Sequence, residues 1–295
     1  MKTHPIGRNT LLLGALIFTL QAAAPDRSHA ALAYASAGTS IATFDTDTPG
    51  TVSSVGITGL QLGETLTGID VRPADSMIYG VGSSSRVYTI NPVTGVAVQI
   101  GSSGAFVISG TSFGMDFNPV PDRIRFVSND EQNLRLNPIT GGLAATDTSL
   151  SPAGNIVGAA YTNNFAGATL TTLYGIDSAA GNLVLIGSIN GSPNSPNGGL
   201  ISTVGSLGLG TNLSENIGFD ISGASGAAMA TITTGGVTRL YNVNLATGAT
   251  TVVGTIGNGA TAYSGFTFAA VPEPSTTLAL AGTAGLLLRR RRRTA

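Results

Sequence analysis

Three aspartates each follow a glycine by two positions, in Gly68-Ile69-Asp70, Gly114-Met115-Asp116 and Gly218-Phe219-Asp220. Carboxylates repeated in one local setting have three uses. Two of them brought together can serve as acid and base across a glycosidic bond. Their oxygens can bind a calcium ion. Each can also accept hydrogen bonds from backbone amides and fix the start of a structural unit, the use that repetition at equivalent positions predicts. Catalysis by a pair needs two carboxylates in different environments, and these three settings read alike.

The remaining charged groups carry weaker signals. Asp45, Asp47 and the pair Asp130-Glu131 offer oxygen ligands, but they follow neither an EF-hand loop nor a dense Asp/Gly repeat. Asp122, Arg123, Arg125 and Arg135 suit either a charged ligand site or ion pairs between neighbouring units. Alternation along a strand places Arg123 and Arg125 on one face, with Ile124 and Phe126 on the other.

What is absent restricts function further. The chain has no cysteine, and His4, His29 and Lys2 all precede Ala31. From Ala31 onward there is therefore no Ser-His-Asp triad, thiol nucleophile or Schiff-base lysine, and no donor set of the usual zinc kind. No catalytic residue is assigned, and calcium is the one cofactor considered. Between Ala31 and Ala270 the basic residues are Arg72, Arg86, Arg123, Arg125, Arg135 and Arg239, against thirteen acids from Asp45 to Asp220. Nucleic acid is excluded as a partner, because phosphate binding needs clustered cations.

The elements that would position these groups are short strands. Runs such as Ile78-Tyr79-Gly80-Val81, Val87-Tyr88-Thr89-Ile90 and Leu183-Val184-Leu185-Ile186 lie between Gly, Ser, Thr, Asn and Pro, with no helical apolar period. One turn recurs five times: Asn91-Pro92-Val93-Thr94-Gly95, Asn137-Pro138-Ile139-Thr140-Gly141, Asp177-Ser178-Ala179-Ala180-Gly181, Asn244-Leu245-Ala246-Thr247-Gly248, and the looser Asp45 to Gly50. Asn or Asp bonds its own backbone two residues on, and Gly supplies positive φ.

Each Gly-x-Asp opening precedes such a turn, and Gly158-Ala159-Ala160 stands where another opening belongs. Four strands in about forty residues make a β-propeller blade. The fold class is all-β, with complete blades expected near 66–101, 113–147, 156–187 and 216–254. Leu32 to Gly56 lacks an opening strand and Gly265-Phe266-Thr267-Phe268 supplies one, so the ends pair and close a five-bladed ring. A six-bladed ring is the alternative, given the long 187–216 stretch, although Asn190 to Gly199 reads as a loop. The tyrosines Tyr79, Tyr88, Tyr161, Tyr174 and Tyr241 occupy strand positions suited to packing.

Both ends of the chain differ from the body. Lys2 and Arg8, the apolar run Leu11–Leu20 and the small residues Ser28 and Ala30 have the make-up of a secretory signal peptide over residues 1–30. At the other end, Val271-Pro272-Glu273-Pro274-Ser275 precedes an apolar stretch from Thr276 to Leu288 and then Arg289, Arg290, Arg291, Arg292 and Arg293. The stretch is shorter than the roughly 20 residues of a membrane-spanning helix, and the arginines should stay cytoplasmic. It suits a transient inner-membrane anchor.

This tail resembles the PEP-CTERM sorting signal. The resemblance implies recognition through Pro272, Glu273 and Pro274 by an exosortase of a Gram-negative bacterium, followed by release to the cell surface or an exopolysaccharide matrix. The body over residues 32–268 resembles the bacterial domain of unknown function number 4394. That likeness is strongest in Gly114-Met115-Asp116-Phe117-Asn118-Pro119, Asp122-Arg123-Ile124-Arg125 and Asn133-Leu134-Arg135-Leu136-Asn137-Pro138, and it implies no activity. The chain thus divides into a signal peptide (1–30), a propeller (31–270) and a sorting signal (271–295). The expected function is that of an exported, non-enzymatic binding or structural protein whose partners are exopolysaccharide or surface proteins. A glycoside-cleaving enzyme using the channel aspartates is the alternative.

Overall fold

The computed structural model describes Met1 and residues 31–270. The expected signal peptide, the Pro-Glu-Pro motif, the apolar segment and the terminal arginines lie outside these residues. Five four-stranded antiparallel sheets form the blades of a propeller. One blade is β4 (Leu66–Val71), β5 (Ile78–Gly82), β6 (Arg86–Ile90) and β7 (Ala97–Ile100). The next is β8 (Phe113–Asn118), β9 (Arg123–Ser128), β10 (Asn133–Leu136) and β11 (Leu143–Thr146). Then follow β12 (Ile156–Tyr161), β13 (Leu173–Asp177), β14 (Asn182–Ile186) and β15 (Ile201–Ser206). The fourth is β16 (Ile217–Ile221), β17 (Ala228–Thr234), β18 (Val237–Val243) and β19 (Thr250–Thr255).

The fifth blade is built from both ends of the ring. Its inner strand β20 (Gly265–Phe268) pairs antiparallel with β1 (Leu32–Ser36), which leads to β2 (Ser40–Asp45) and β3 (Val52–Gly56). Ala33 faces Phe268 and Ser36 faces Gly265 in that register. The pairing leaves no open seam whose strand edges would recruit another chain. Phe266 stacks on Phe44 with ring centroids 6.2 Å apart and meets Phe268 edge-on at 5.3 Å. Burying each such ring contributes about 1.5–3 kcal/mol, so the closure is an apolar core as well as a ladder.

The cores lie between blades. Tyr79 and Val81 of one blade pack against Phe113, Met115, Phe117, Ile124 and Phe126 of the next. Inner strands are buried along nearly their whole length, as in β12, whereas the outer β11 and β3 are exposed or half-buried throughout. All five tyrosines expected to pack are buried.

The repeated turn forms as its residues dictate. Asn91 Oδ1 accepts from the Val93 and Thr94 amides, and the Gly95 amide donates to the Asn91 carbonyl at 2.8 Å. In four blades the turn joins the third and fourth strands. The copy at Asp177–Gly181 joins β13 to β14, the second and third strands, so the blade expected at 156–187 runs to Ser206. Its last connection is the 187–200 loop, with single 3-10 turns at Ile189–Gly191 and Pro196–Gly198. That loop ends in the contact the turn makes elsewhere. The Ser151 amide donates to the Gly199 carbonyl at 2.8 Å, as Thr58 does to Gly95 at 3.0 Å, each bond joining a blade's last connection to the segment that follows the blade before it.

Candidate functional site

The five inner strands β4, β8, β12, β16 and β20 surround the axis, each packed on the next. All five carry glycine at one level: Gly68, Gly114, Gly158, Gly218 and Gly265. The approach there is too close for a side chain. A Cβ on Gly114 would stand 2.7 Å from the Gly158 carbonyl carbon, and one on Gly218 would stand 2.5 Å from the Phe266 nitrogen. The space left at this level is about 10 Å³, so the axis is shut at that end.

Two residues further along each strand stand Asp70, Asp116, Ala160, Asp220 and Thr267. The predicted aspartates therefore do converge, with ligating oxygens all within 4.8 Å of one another. They are almost sealed from solvent, at 1%, 0% and 2% exposure for Asp70, Asp116 and Asp220. Each reaches the inner strand of the next blade. Asp70 Oδ2 accepts from the Phe117 amide at 2.7 Å, Asp116 Oδ1 from Tyr161 at 3.1 Å, and Asp220 Oδ2 from Phe268 at 2.8 Å. Thr267 completes the series by accepting from the Val71 amide and donating to Asp70 Oδ1. Ala160 has no such group, and at this level β12 meets β16 through packing, with Asn155 donating to Glu215 at the start of the two strands.

Burial pushes all three carboxyls up. For Asp70 the charge of Asp220 adds to the shift, and for Asp116 the charges of both neighbours do, whereas backbone amides pull each one back. Asp116 lies within hydrogen-bond reach of Asp220 and favours it as the ionised partner. As a carboxylate, Asp116 Oδ2 has no donor at all.

Beyond the acids the axis opens. A cavity of about 390 Å³ has Asp220 and Thr267 at its base and Ser76, Asn164, Phe165 and Ser222 around it. The chain leaves the ring here, and Ala269 and Ala270 line the same cavity. Phe165 is 46% exposed.

The arginines do not gather into one site. Arg125 faces the blade after its own, fully buried, donating to Tyr161 Oη, Asn133 Oδ1, Asp147 Oδ2 and Asn197 Oδ1. Arg135 holds both oxygens of Asp147 at 2.8 Å. Asp122 turns the other way and pairs with Arg72 of the preceding blade. Arg123 donates to the backbone carbonyls of Pro121 and Asp122. Ion pairing between and within blades thus accounts for Asp122, Arg125 and Arg135. Asp45 bonds the Asp47 amide and Asp130 bonds Ser109, and among the described residues neither loop joins a metal-compatible group.

Sequence reasoning missed Thr267 as the axial partner of Asp70, Asp147 as the anchor of two arginines, and Glu64. Burial raises the Glu64 carboxyl, but hydrogen bonds from Ser84, Tyr88 and two amides outweigh it and leave the group below its ordinary value. The Tyr88 hydroxyl bonded to it is pushed up to about 12 by burial and by that carboxylate. The spacing Gly265-Phe266-Thr267, shared with the Gly-x-Asp openings, was the signal for Thr267.

Among the described residues no helix is long and apolar enough to cross a membrane. No curated protein matches the chain. Among solved structures, a protein of unknown function from Bacteroides thetaiotaomicron VPI-5482 is similar at 13% identity and a TM-score of 0.44, over 76% of this chain and 57% of that one. PorZ, a bacterial surface component of the type-IX secretion system of Porphyromonas gingivalis, is similar at 12% identity and a TM-score of 0.38, over 78% of this chain and 30% of that one. The chain thus spans less than two thirds of either. Residues 270–293 match the PEP-CTERM protein-sorting motif, which indicates an exported protein processed by an exosortase. Residues 40–267, nearly the whole ring, match the domain of unknown function DUF4394, and the chain belongs to that family.

Proposed function

We propose that the ring is a non-enzymatic binding module of the cell surface or extracellular matrix. Residues 1–30 direct export, residues 271–295 hold the precursor at the inner membrane, and exosortase cleavage releases residues 31–270. One observation carries the non-enzymatic reading: the carboxylates that could have formed an acid-base pair are buried and engaged by backbone amides. Glycoside cleavage needs a proton donor and a second carboxylate facing the sugar, with room for water in the inverting case. Asp70, Asp116 and Asp220 converge on one another instead. The binding reading draws on the axial cavity, whose volume falls within the ordinary range for ligand pockets. Its exposed Phe165 and its serine and asparagine rim suit a sugar face, so exopolysaccharide is the ligand class.

The test is a screen of residues 31–270 against glycans and matrix proteins, repeated with Ser222→Tyr, which fills the cavity. A glycan retained by the wild type and lost in Ser222→Tyr is expected. Release of reducing sugar from any glycan would overturn the non-enzymatic reading, and equal retention by both proteins would remove the cavity from it. For sorting, replacing Pro272 and Pro274 together with alanine should leave an uncleaved, membrane-associated precursor. Normal processing of that variant would refute recognition through the motif.

A further inference from the structure

Five of the six oxygens of Asp70, Asp116 and Asp220 accept a hydrogen bond from the protein, and Asp116 Oδ2 accepts none. Protonated, Asp116 can donate to Asp220; ionised, its Oδ2 is an orphaned acceptor in a side chain of 0% exposure and needs a partner. Arginine does not supply one. Arg125 is the cross-strand neighbour of Asp116 but is engaged by Asp147, Asn133, Asn197 and Tyr161, and Arg72 is taken by Asp75 and Asp122.

Two opposing demands meet at the cluster. Backbone amides directed at each carboxylate favour its ionised form, while burial and mutual repulsion oppose it. A cation among the three answers both. Oxygens within 4.8 Å of one another can share one centre, because calcium takes its oxygen ligands at about 2.3–2.6 Å. The cavity above Asp220 and Thr267 gives a hydrated ion its route, and its water can complete the coordination.

We propose that Asp70, Asp116 and Asp220 bind one divalent cation of the calcium class on the propeller axis, with Asp116 Oδ2 as the ligand that no protein donor claims. The ion joins three blades through their inner strands and closes the floor of the axial cavity.

The ring completes all five of its sheets within residues 31–270, so that unit is the one tested. It is unfolded in guanidinium with EDTA and refolded in calcium, in magnesium, or in EDTA. Retained metal is counted by mass spectrometry, and melting is followed by circular dichroism. The wild type should keep one calcium per chain and melt about 5 °C or more above the EDTA sample, the size expected of a saturated site in a domain of this length. Asp116→Asn keeps an acceptor for the Tyr161 amide and gains a donor to Asp220, so it should fold without metal, retain none and melt alike in all three buffers. Asp220→Asn serves the same purpose should Asp116→Asn fail to fold. Wild type that retains no metal and melts identically throughout overturns the proposal. Calcium retained equally by both asparagine variants also overturns it, and magnesium retained in place of calcium overturns the ion assigned.

Discussion

Replacing Arg125 with methionine separates a scaffold role for this arginine from a ligand-binding one. The side chain is 1% exposed, and its guanidinium links Asn133 and Asp147 of its own blade to Tyr161 and Asn197 of the next. Methionine refills the volume but donates nothing. Breaking a buried pair by removing one partner costs about 3–5 kcal/mol. Two features place this case toward the lower end: Asp147 keeps Arg135 on both oxygens, and Asn197 is only partly buried. Part of that cost, about 1–3 kcal/mol, falls on Asn133 Oδ1, which is fully buried and loses its donor. A total of about 3 kcal/mol corresponds to a fall in Tm of about 10 °C for a domain of this size. The control is Arg123→Met on the same strand, whose bonds go to backbone carbonyls near the surface; it should stay within about 0.5 kcal/mol of wild type. Urea unfolding followed by circular dichroism reads both. Equal stability of the two variants, or an Arg125→Met indistinguishable from wild type, would refute the scaffold argument.

Two further perturbations probe the closure and the axis. Phe266→Ala removes a ring that is 2% exposed between Phe44 and Phe268, and should cost about 3–5 kcal/mol; unchanged melting would mean that β20 does not close the ring. In EDTA, the raised carboxyls of Asp70, Asp116 and Asp220 hold protons in the folded state that the unfolded chain has already released. Their contribution is therefore fully present below the ordinary carboxylate range, near pH 4, and is lost as pH rises through the elevated folded values. The stability of Asp116→Asn relative to wild type should accordingly increase with pH from that point upward, and a difference that stays flat with pH would refute the assignment.

Much of this architecture was legible because local chemistry repeats. Gly-x-Asp marked three inner strands, and the same glycine spacing marked β12 and β20, where Ala160 and Thr267 replace the carboxylate. The closure was legible because residues 32–56 hold three strands and 265–268 hold one. The turn at Asp177 misled for a physical reason. Its aspartate bonds the Ala179 and Ala180 amides just as Asn91 bonds Val93 and Thr94. Those bonds specify a reversal of the chain, and nothing in them says which two strands the reversal joins. The pairing of β14 with β15, and the distant contact of Gly199 with Thr148 and Ser149, identify the true last connection of that blade. The partners of Arg125 were hidden similarly, since Asn197 comes from a loop 72 residues away.

The layers along the axis separate the two ends of the ring. The glycine level is closed by backbone, because Gly114 lies against Gly158 and Gly218 against Gly265. No rotamer change can open it, since the atoms in contact belong to the ladders that form the blades. The acid level lies immediately beyond, and past it the axis widens into the cavity of about 390 Å³. A smaller one of about 200 Å³, lined by Thr65, Ser112, Glu215 and Ser264, lies on the other side of the glycines. The larger cavity lies on the side on which Ala269 and Ala270 leave the ring toward the sorting motif at 270–293. Tyr161 extends this layer outward: its amide bonds Asp116 and its hydroxyl accepts from Arg125. Axial charge and peripheral charge thus meet through one residue, on the same blade interface that Arg125 holds together.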